Sequence, residues 1–270
     1  MSKILKLEIR RAFINKKFLI ALIIETIIMV LEFVTSTLGM INGPLSGNMD
    51  YPYSAYNCLI TTSSWSIYKQ LFLYTIVLIA SYPYATSYYQ DKKTGYIKNI
   101  VSRTDKKSYL KAKYISVFLS TSIVCLYSYL LDFLLTISVL PMLRLEMAAK
   151  ISGVFGNATL LDLQYAHPML YYLVFVVASV IIVGVFSELG LVLTRFVHNV
   201  YILTFVPFIA FFGMHAVTGF SDLATWNPYY MMDADQANGV NIVNVIIFCV
   251  LGILVTYLTF YQMEKNSDEL

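Results

Sequence analysis

Six stretches of the chain consist almost entirely of apolar residues, separated by shorter polar stretches. A helix needs about 20 mostly apolar residues to cross about 30 Å of hydrocarbon. The pattern therefore predicts an all-α, polytopic membrane protein, with residues 1–270 forming one transmembrane domain. The predicted spans are residues 18–40, 71–89, 114–140, 169–194, 200–220 and 240–262. The second is the least regular, because Pro83 and several tyrosines lie in its C-terminal part.

Composition supports a membrane protein, since apolar residues make up 58% of the chain and charged residues only 13%. Soluble domains usually contain about 25% charged residues. The three cysteines, Cys58, Cys125 and Cys249, form neither a disulfide framework nor a metal-binding spacing. No Walker A sequence and no His-Glu-x-x-His motif occurs. We therefore expect no catalytic residues, no metal and no cofactor in this chain.

Positive charge is unevenly distributed among the polar segments. Sixteen Lys and Arg residues lie on one side of the predicted spans, and only Lys69, Arg144 and Lys150 lie on the other. Because Lys and Arg favour the cytoplasmic side, we expect a cell-membrane protein with both termini cytoplasmic. The predicted outer segments are residues 41–70, 141–168 and 221–239.

The first 17 residues carry six of these basic residues, arranged as a stripe beside an apolar one. This pattern favours a helix that lies in the membrane interface. The alternative is an unstructured basic flank that only sets the topology.

Five ionisable residues lie inside or at the ends of predicted spans, where each is costly and needs a reason. Glu25 and Glu32 are seven residues apart on one face of the first span. Glu188 and Arg195 have the same spacing and are candidates for an ion pair, and Asp132 lies in the third span. We favour hydrogen bonding between helices as their role. A polar substrate path or a proton relay remains an alternative.

One segment, residues 90–113, is densely basic and lies between the second and third spans. Residues 88–116 hold eight of the nineteen Lys and Arg residues. After Gly95, the spacing of apolar residues predicts a short helix with an apolar face that could bind a groove on a soluble partner. The alternative is that the charges only fix topology and bind anionic lipid. The apolar positions are Tyr96, Ile97, Ile100 and Val101, and the polar ones are Lys98, Asn99 and Arg103.

These features together resemble the permease subunit of a type-2 ABC exporter, of the kind that Gram-positive bacteria use to export antimicrobial peptides or drugs. The resemblance extends to the N-terminal helix, the short link between the fourth and fifth spans, and residues 221–239, which in the family form short re-entrant helices. The chain departs from the family pattern at residues 104–107, where a Pro or a second Arg is usual. The residues that match the family are Asp91, Gly95, Ile97, Lys98, Asn99, Ser102, Arg103, Tyr109, Leu110 and Lys113.

The resemblance implies a permease that pairs with a second copy or a sister permease and binds two separate ATPase subunits, which hold ATP and Mg. Residues 90–113 would couple the ATPase to the spans, and an amphipathic peptide antibiotic or drug would leave at the dimer interface, along the second and fifth spans. Membrane lipid is an expected partner and nucleic acid is not. Two other functions stay open: a proton-coupled transporter using Glu25 and Glu32, and a membrane-embedded lipid-modifying enzyme.

Overall fold

A computed structural model describes residues 2–42, 54–63, 66–143, 159–219, 223–235 and 240–265. Within these ranges all regular secondary structure is helical, which confirms the predicted all-α class. Arg144 and Lys150 lie outside the described residues, as do parts of the three predicted outer segments.

The helices follow the apolar segments closely, with short helices between them. The first half contains α1 (Ser2–Phe13), α2 (Lys16–Glu32), α3 (Leu38–Asn42), α4 (Ala55–Cys58), α5 (Ile67–Ser81), α6 (Ser87–Lys93), α7 (Tyr96–Val101) and α8 (Lys106–Ile137). The second half contains α9 (Leu161–Ala166), α10 (Pro168–Val192), α11 (Val200–Gly219), α12 (Pro228–Met232) and α13 (Ile242–Lys265). A π-helical turn, Phe33–Thr37, joins α2 to α3, and 3₁₀ turns occupy Leu193–Arg195 and Ala224–Trp226.

Five helical stretches of the described chain are long and apolar enough to cross a membrane. They are Lys16–Thr37, Lys106–Ile137, Pro168–Arg195, Val200–Gly219 and Ile242–Lys265, and they correspond to the first and the third to sixth predicted spans.

The second predicted span is the exception, since α5 has only 15 residues. At 1.5 Å per residue α5 is about 22 Å long, which is shorter than the hydrocarbon core of about 30 Å. Pro83 has no N–H to continue the helix, so the chain turns between Ser81 and Ser87 before α6 begins. The count of six spans therefore stays an expectation.

Helices α8 and α10 lie at the centre of the bundle, and α10 packs against α5, α8, α11 and α13. Close packing depends on small residues where these helices meet. A Cβ added to Gly184 would lie 2.5 Å from the ring of Phe118 on α8, and one added to Gly252 would lie 2.7 Å from Val185 on α10. The outward faces of α2, α11 and α13 are apolar and exposed, as expected of helices that contact lipid.

Candidate functional site

The basic segment between α5 and α8 folds as two short helices, α6 and α7, that meet at Gly95. Gly95 adopts a φ of 72°, a left-handed conformation that glycine adopts without steric cost. The short helix that the sequence predicts after Gly95 is present as α7. Helix α8 begins at Lys106, so Tyr109 and Lys113 lie in its first turns.

Four charged side chains from three helices form a buried network beneath α7. Lys113 Nζ lies 2.9 Å from Glu8 Oε2 and 2.6 Å from Asp91 Oδ2. Arg11 on α1 completes the network, with Nη1 2.8 Å from Glu8 Oε1 and Nη2 2.7 Å from Asp91 Oδ1. The Lys113 and Glu8 side chains are 0% exposed. We call these four residues the Lys113 cluster; its two acids and two bases balance in charge.

Two tyrosines complete the hydrogen bonding of the Lys113 cluster. Tyr84 OH donates to Glu8 Oε2 at 2.7 Å, and Tyr109 OH donates to Asp91 Oδ2 at 2.7 Å. Burial alone would raise the pKa of Asp91, but hydrogen bonds from Arg11 and the charge of Lys113 outweigh it, so the pKa is below its usual value. Asp91 is therefore held as a carboxylate, which keeps the network ionic.

Helix α7 is fastened to the same network and to an apolar cluster beside it. The Arg11 guanidinium lies 4.1 Å from the ring centroid of Tyr96, a cation–π contact. Ile97 is 2% exposed, and Ile100 and Val101 are partly buried in the same apolar cluster. The Ile97 side chain is therefore enclosed by its own chain, and the expectation that this face binds a partner stays a prediction.

The side of α7 that remains accessible is polar and basic. Lys98, Asn99, Ser102 and Arg103 are exposed, and so are the neighbouring residues Lys93 and Lys107. The residues predicted to form this segment therefore divide into two groups. Asp91, Ile97, Tyr109 and Lys113 hold it to the rest of the chain, whereas Lys98, Asn99 and Arg103 face outwards.

Helix α6 is also tied to the end of α13. Tyr88 OH donates to Glu264 Oε2 at 2.7 Å, and Lys92 Nζ lies 2.8 Å from Glu264 Oε1. The predicted Glu188–Arg195 pair is absent from the described structure. Arg195 is exposed and donates to the carbonyl oxygen of Met263 at 2.8 Å, while Glu188 is fully buried on α10.

The remaining carboxylates inside predicted spans bond to distant parts of the chain, and Glu25 bonds to another long helix. Glu25 Oε2 accepts from Ser128 Oγ at 3.0 Å, and Glu32 Oε2 accepts from Ser66 Oγ. Asp132 Oδ2 accepts from the backbone N–H of Ile60 at 2.9 Å. One oxygen of each glutamate has no hydrogen-bond partner among the described residues.

At the other end of the bundle a second buried ion pair holds residues 223–235, the described part of the predicted outer segment 221–239. Lys69 Nζ lies 2.8 Å from Asp233 Oδ1 and donates to the carbonyl oxygen of Ser63 at 2.7 Å. Burial raises the pKa of Asp233, although the charge of Lys69 opposes this. The backbone N–H of Ala234 donates to the carbonyl oxygen of Thr61 at 3.1 Å. This segment is thus bonded to the chain before α5.

An aromatic cluster lies beside this ion pair, where α5, α11 and α12 meet. Tyr74 OH and His215 Nε2 are 3.2 Å apart, and His215 Nδ1 is 3.1 Å from Asn227 Oδ1. The rings of Tyr74 and Tyr229 stack with their centroids 4.9 Å apart. His215 is therefore bonded at both ring nitrogens.

Sequence reasoning missed Glu8, Tyr84, Glu264 and the partner of Lys69. A signal for Glu8 exists, because it is the only acidic residue among the first 17, and it is four residues from both Ile4 and Ala12 on the face that packs inward. Within the described residues no three His, Cys, Asp or Glu side chains are placed to hold a metal ion.

Comparisons with protein-family models, curated proteins and solved structures find no match for this chain.

Proposed function

We propose that the chain is a cell-membrane permease subunit of an ABC-type exporter, with both termini cytoplasmic. With a second copy or a sister permease and two separate ATPase subunits, it would form an ATP-driven export path for an amphipathic substrate. The observation that supports this most directly is the Lys113 cluster. It joins α6 to both α1 and the long helix α8, and Arg11 of the cluster contacts Tyr96 on α7.

Such a connection is what a coupling element requires. A soluble partner that moves α7 can affect the spans only if α7 is rigidly attached to them. Ion pairs with no exposed charge resist separation, because pulling one partner away leaves an uncompensated buried charge. The Lys113 cluster attaches α6 to α1 and α8, Arg11 of the cluster also contacts Tyr96 on α7, and Glu264 attaches α6 to α13. Displacement of α7 would therefore be transmitted to several helices together.

The exposed face of α7 also indicates the chemistry of the ATPase surface that it contacts. Since Lys98 and Arg103 point outwards and Ile97 is enclosed, a partner surface with acidic side chains fits better than an apolar groove. Complementary charges of this kind mainly determine association rate and specificity.

The test is co-purification of the tagged chain from its own host membranes in mild detergent, followed by measurement of ATP hydrolysis. We expect the wild-type chain to retain a subunit with a Walker A sequence and its ATPase activity. The chain purified alone should hydrolyse no ATP. The double variant Lys98→Glu/Arg103→Glu should lose the partner, because it reverses two charges on the exposed face.

The matched control reverses two exposed lysines of α1, Lys3→Glu/Lys6→Glu, and should keep the partner. Equal behaviour of the two double variants would show that the face of α7 is not the docking site. The wild-type chain could instead retain no ATPase and transport substrate in ATP-free vesicles with a proton gradient. That result would favour a proton-coupled transporter that uses Glu25 and Glu32, each of which has one unpartnered oxygen among the described residues.

A further inference from the structure

A groove of about 600 Å³ opens on the surface of the bundle between α2, α5 and α11. Its apolar walls include Ile20, Ile24, Leu78, Ile79 and Phe205. Thr204 also lines the groove, but its hydroxyl is occupied, since it donates to the carbonyl oxygen of Val200 at 2.9 Å. The groove thus offers an apolar channel within helices that are long or apolar enough to lie in a membrane.

One end of the groove is positively charged. Among the described residues that line the groove, only Lys17, in the first turn of α2, is charged, and its Nζ lies 5.3 Å from the ring centroid of Tyr82. No acidic side chain of the described residues forms an ion pair with Lys17. Lys16 beside it is exposed, and the first turn of α2 holds no acidic residue. This end of the groove therefore attracts an anion.

We propose that the groove binds an anionic phospholipid of the adjoining leaflet, with the headgroup phosphate at Lys17 and an acyl chain along the walls. An apolar channel with one uncompensated cation at its end matches a molecule with a long apolar tail and a negative head. A second copy packed symmetrically in the same groove would bring the basic ends of two α2 helices together, and like charges across an interface are unfavourable. The proposal does not depend on an ATPase partner. It places lipid, and not the second permease copy, against α5 and α11, in contrast to the dimer interface that the family resemblance implies.

The test uses a single tryptophan as a reporter of the lipid beside it. Phe205→Trp places the reporter in the groove, in a background with Trp65→Phe and Trp226→Phe. The protein is reconstituted in vesicles of phosphatidylcholine that contain brominated phosphatidylglycerol or brominated phosphatidylcholine. Quenching by each brominated lipid gives its relative binding at the reporter.

We expect about a fivefold preference for phosphatidylglycerol, which corresponds to about 1 kcal/mol for one lysine at a membrane surface. Lys17→Gln should abolish the preference, and Lys17→Arg should keep it because the charge is retained. The matched control is Val250→Trp in the second apolar groove, of about 660 Å³ between α10 and α13, in whose lining the described residues include none that is charged. There we expect equal quenching by both lipids, unchanged by Lys17→Gln.

Equal quenching by the two lipids at position 205 would overturn the proposal. So would a preference that survives Lys17→Gln, because the charge that selects the lipid would then lie elsewhere. A third contrary result is weak quenching at position 205 together with efficient disulfide cross-linking of two copies through Ile20→Cys, since a second copy would then fill the groove. Unchanged thermal unfolding of each variant in detergent ensures that the comparison is made between folded proteins.

Discussion

Replacing Lys113 with methionine is the sharpest test of the buried charge network. The Lys113 ammonium contacts Asp91 at 2.6 Å and Glu8 at 2.9 Å, with no exposed surface. Methionine fills much of the space but leaves two carboxylates with Arg11 as their only cation. Removing one partner of a buried ion pair usually costs about 3–5 kcal/mol. We therefore expect Lys113→Met to destabilise the fold by an amount in this range.

The double variant Glu8→Gln/Lys113→Met should be destabilised less than Lys113→Met alone. It removes one acid with one base and keeps the Arg11–Asp91 pair, whose atoms are 2.7 Å apart. Coupling between residues in one network is typically about 0.5–3 kcal/mol. The assay is thermal unfolding of each purified variant in the same detergent.

The control is Lys111→Met, which changes a half-buried lysine of the same helix that forms no ion pair with any described residue. Its stability should stay within about 0.5 kcal/mol of the parent. The reasoning is refuted if Lys111→Met and Lys113→Met unfold at the same temperature, or if the double variant is no more stable than Lys113→Met.

Two further predictions concern α7 and Asp91. Ile97→Asp should destabilise the chain itself, because it replaces a buried apolar side chain worth about 1.5–3 kcal/mol with an unpaired charge. The control Asn99→Asp adds the same charge at an exposed site of α7 and should unfold at the parent temperature. Equal unfolding temperatures of the two variants would contradict the enclosure of Ile97. Because the pKa of folded Asp91 is lowered, its stabilising contribution is fully present above its unfolded value of about 3.9 and is lost as pH falls through the folded pKa. Thermal unfolding measured between pH 7 and pH 3 should therefore show that the parent protein loses stability below about pH 4 and that Asp91→Asn loses less. Identical pH profiles of the two proteins would refute a stabilising role for the Asp91 carboxylate.

The long helices were predictable because apolar length is a local property of the sequence. Residues 169–194 and 240–262 were predicted as spans, and they correspond to α10 and α13 within a few residues. The second predicted span, residues 71–89, differs most from its helix, because α5 runs from Ile67 to Ser81 and ends just before Pro83. Buried positions for Glu25 and Glu32 also followed from their spacing on one helical face.

The ion pairs were not predictable, because their partners are distant in sequence. Glu8 and Lys113 are 105 residues apart, and no local pattern links them. The direction in which α7 turns its apolar face was equally undetermined. An apolar stripe at Ile97 and Val101 is suited both to a partner's groove and to the chain's own α1 and α8. The structure distinguishes packing against a partner from packing against α1 and α8 by two contacts. Arg11 lies over the ring of Tyr96, and Ile97 belongs to the same apolar cluster as Ala12.

The serines that bind the carboxylates of α2 also constrain the order in which the protein is assembled. Synthesis of α2 precedes that of Ser66 and Ser128, which follow it by many residues in the chain. Until they arrive, Glu25 and Glu32 lack the donors that they have in the folded chain, and unpaired charge in the bilayer is costly. Nascent α2 is therefore expected to stay beside the insertion machinery until α8 emerges.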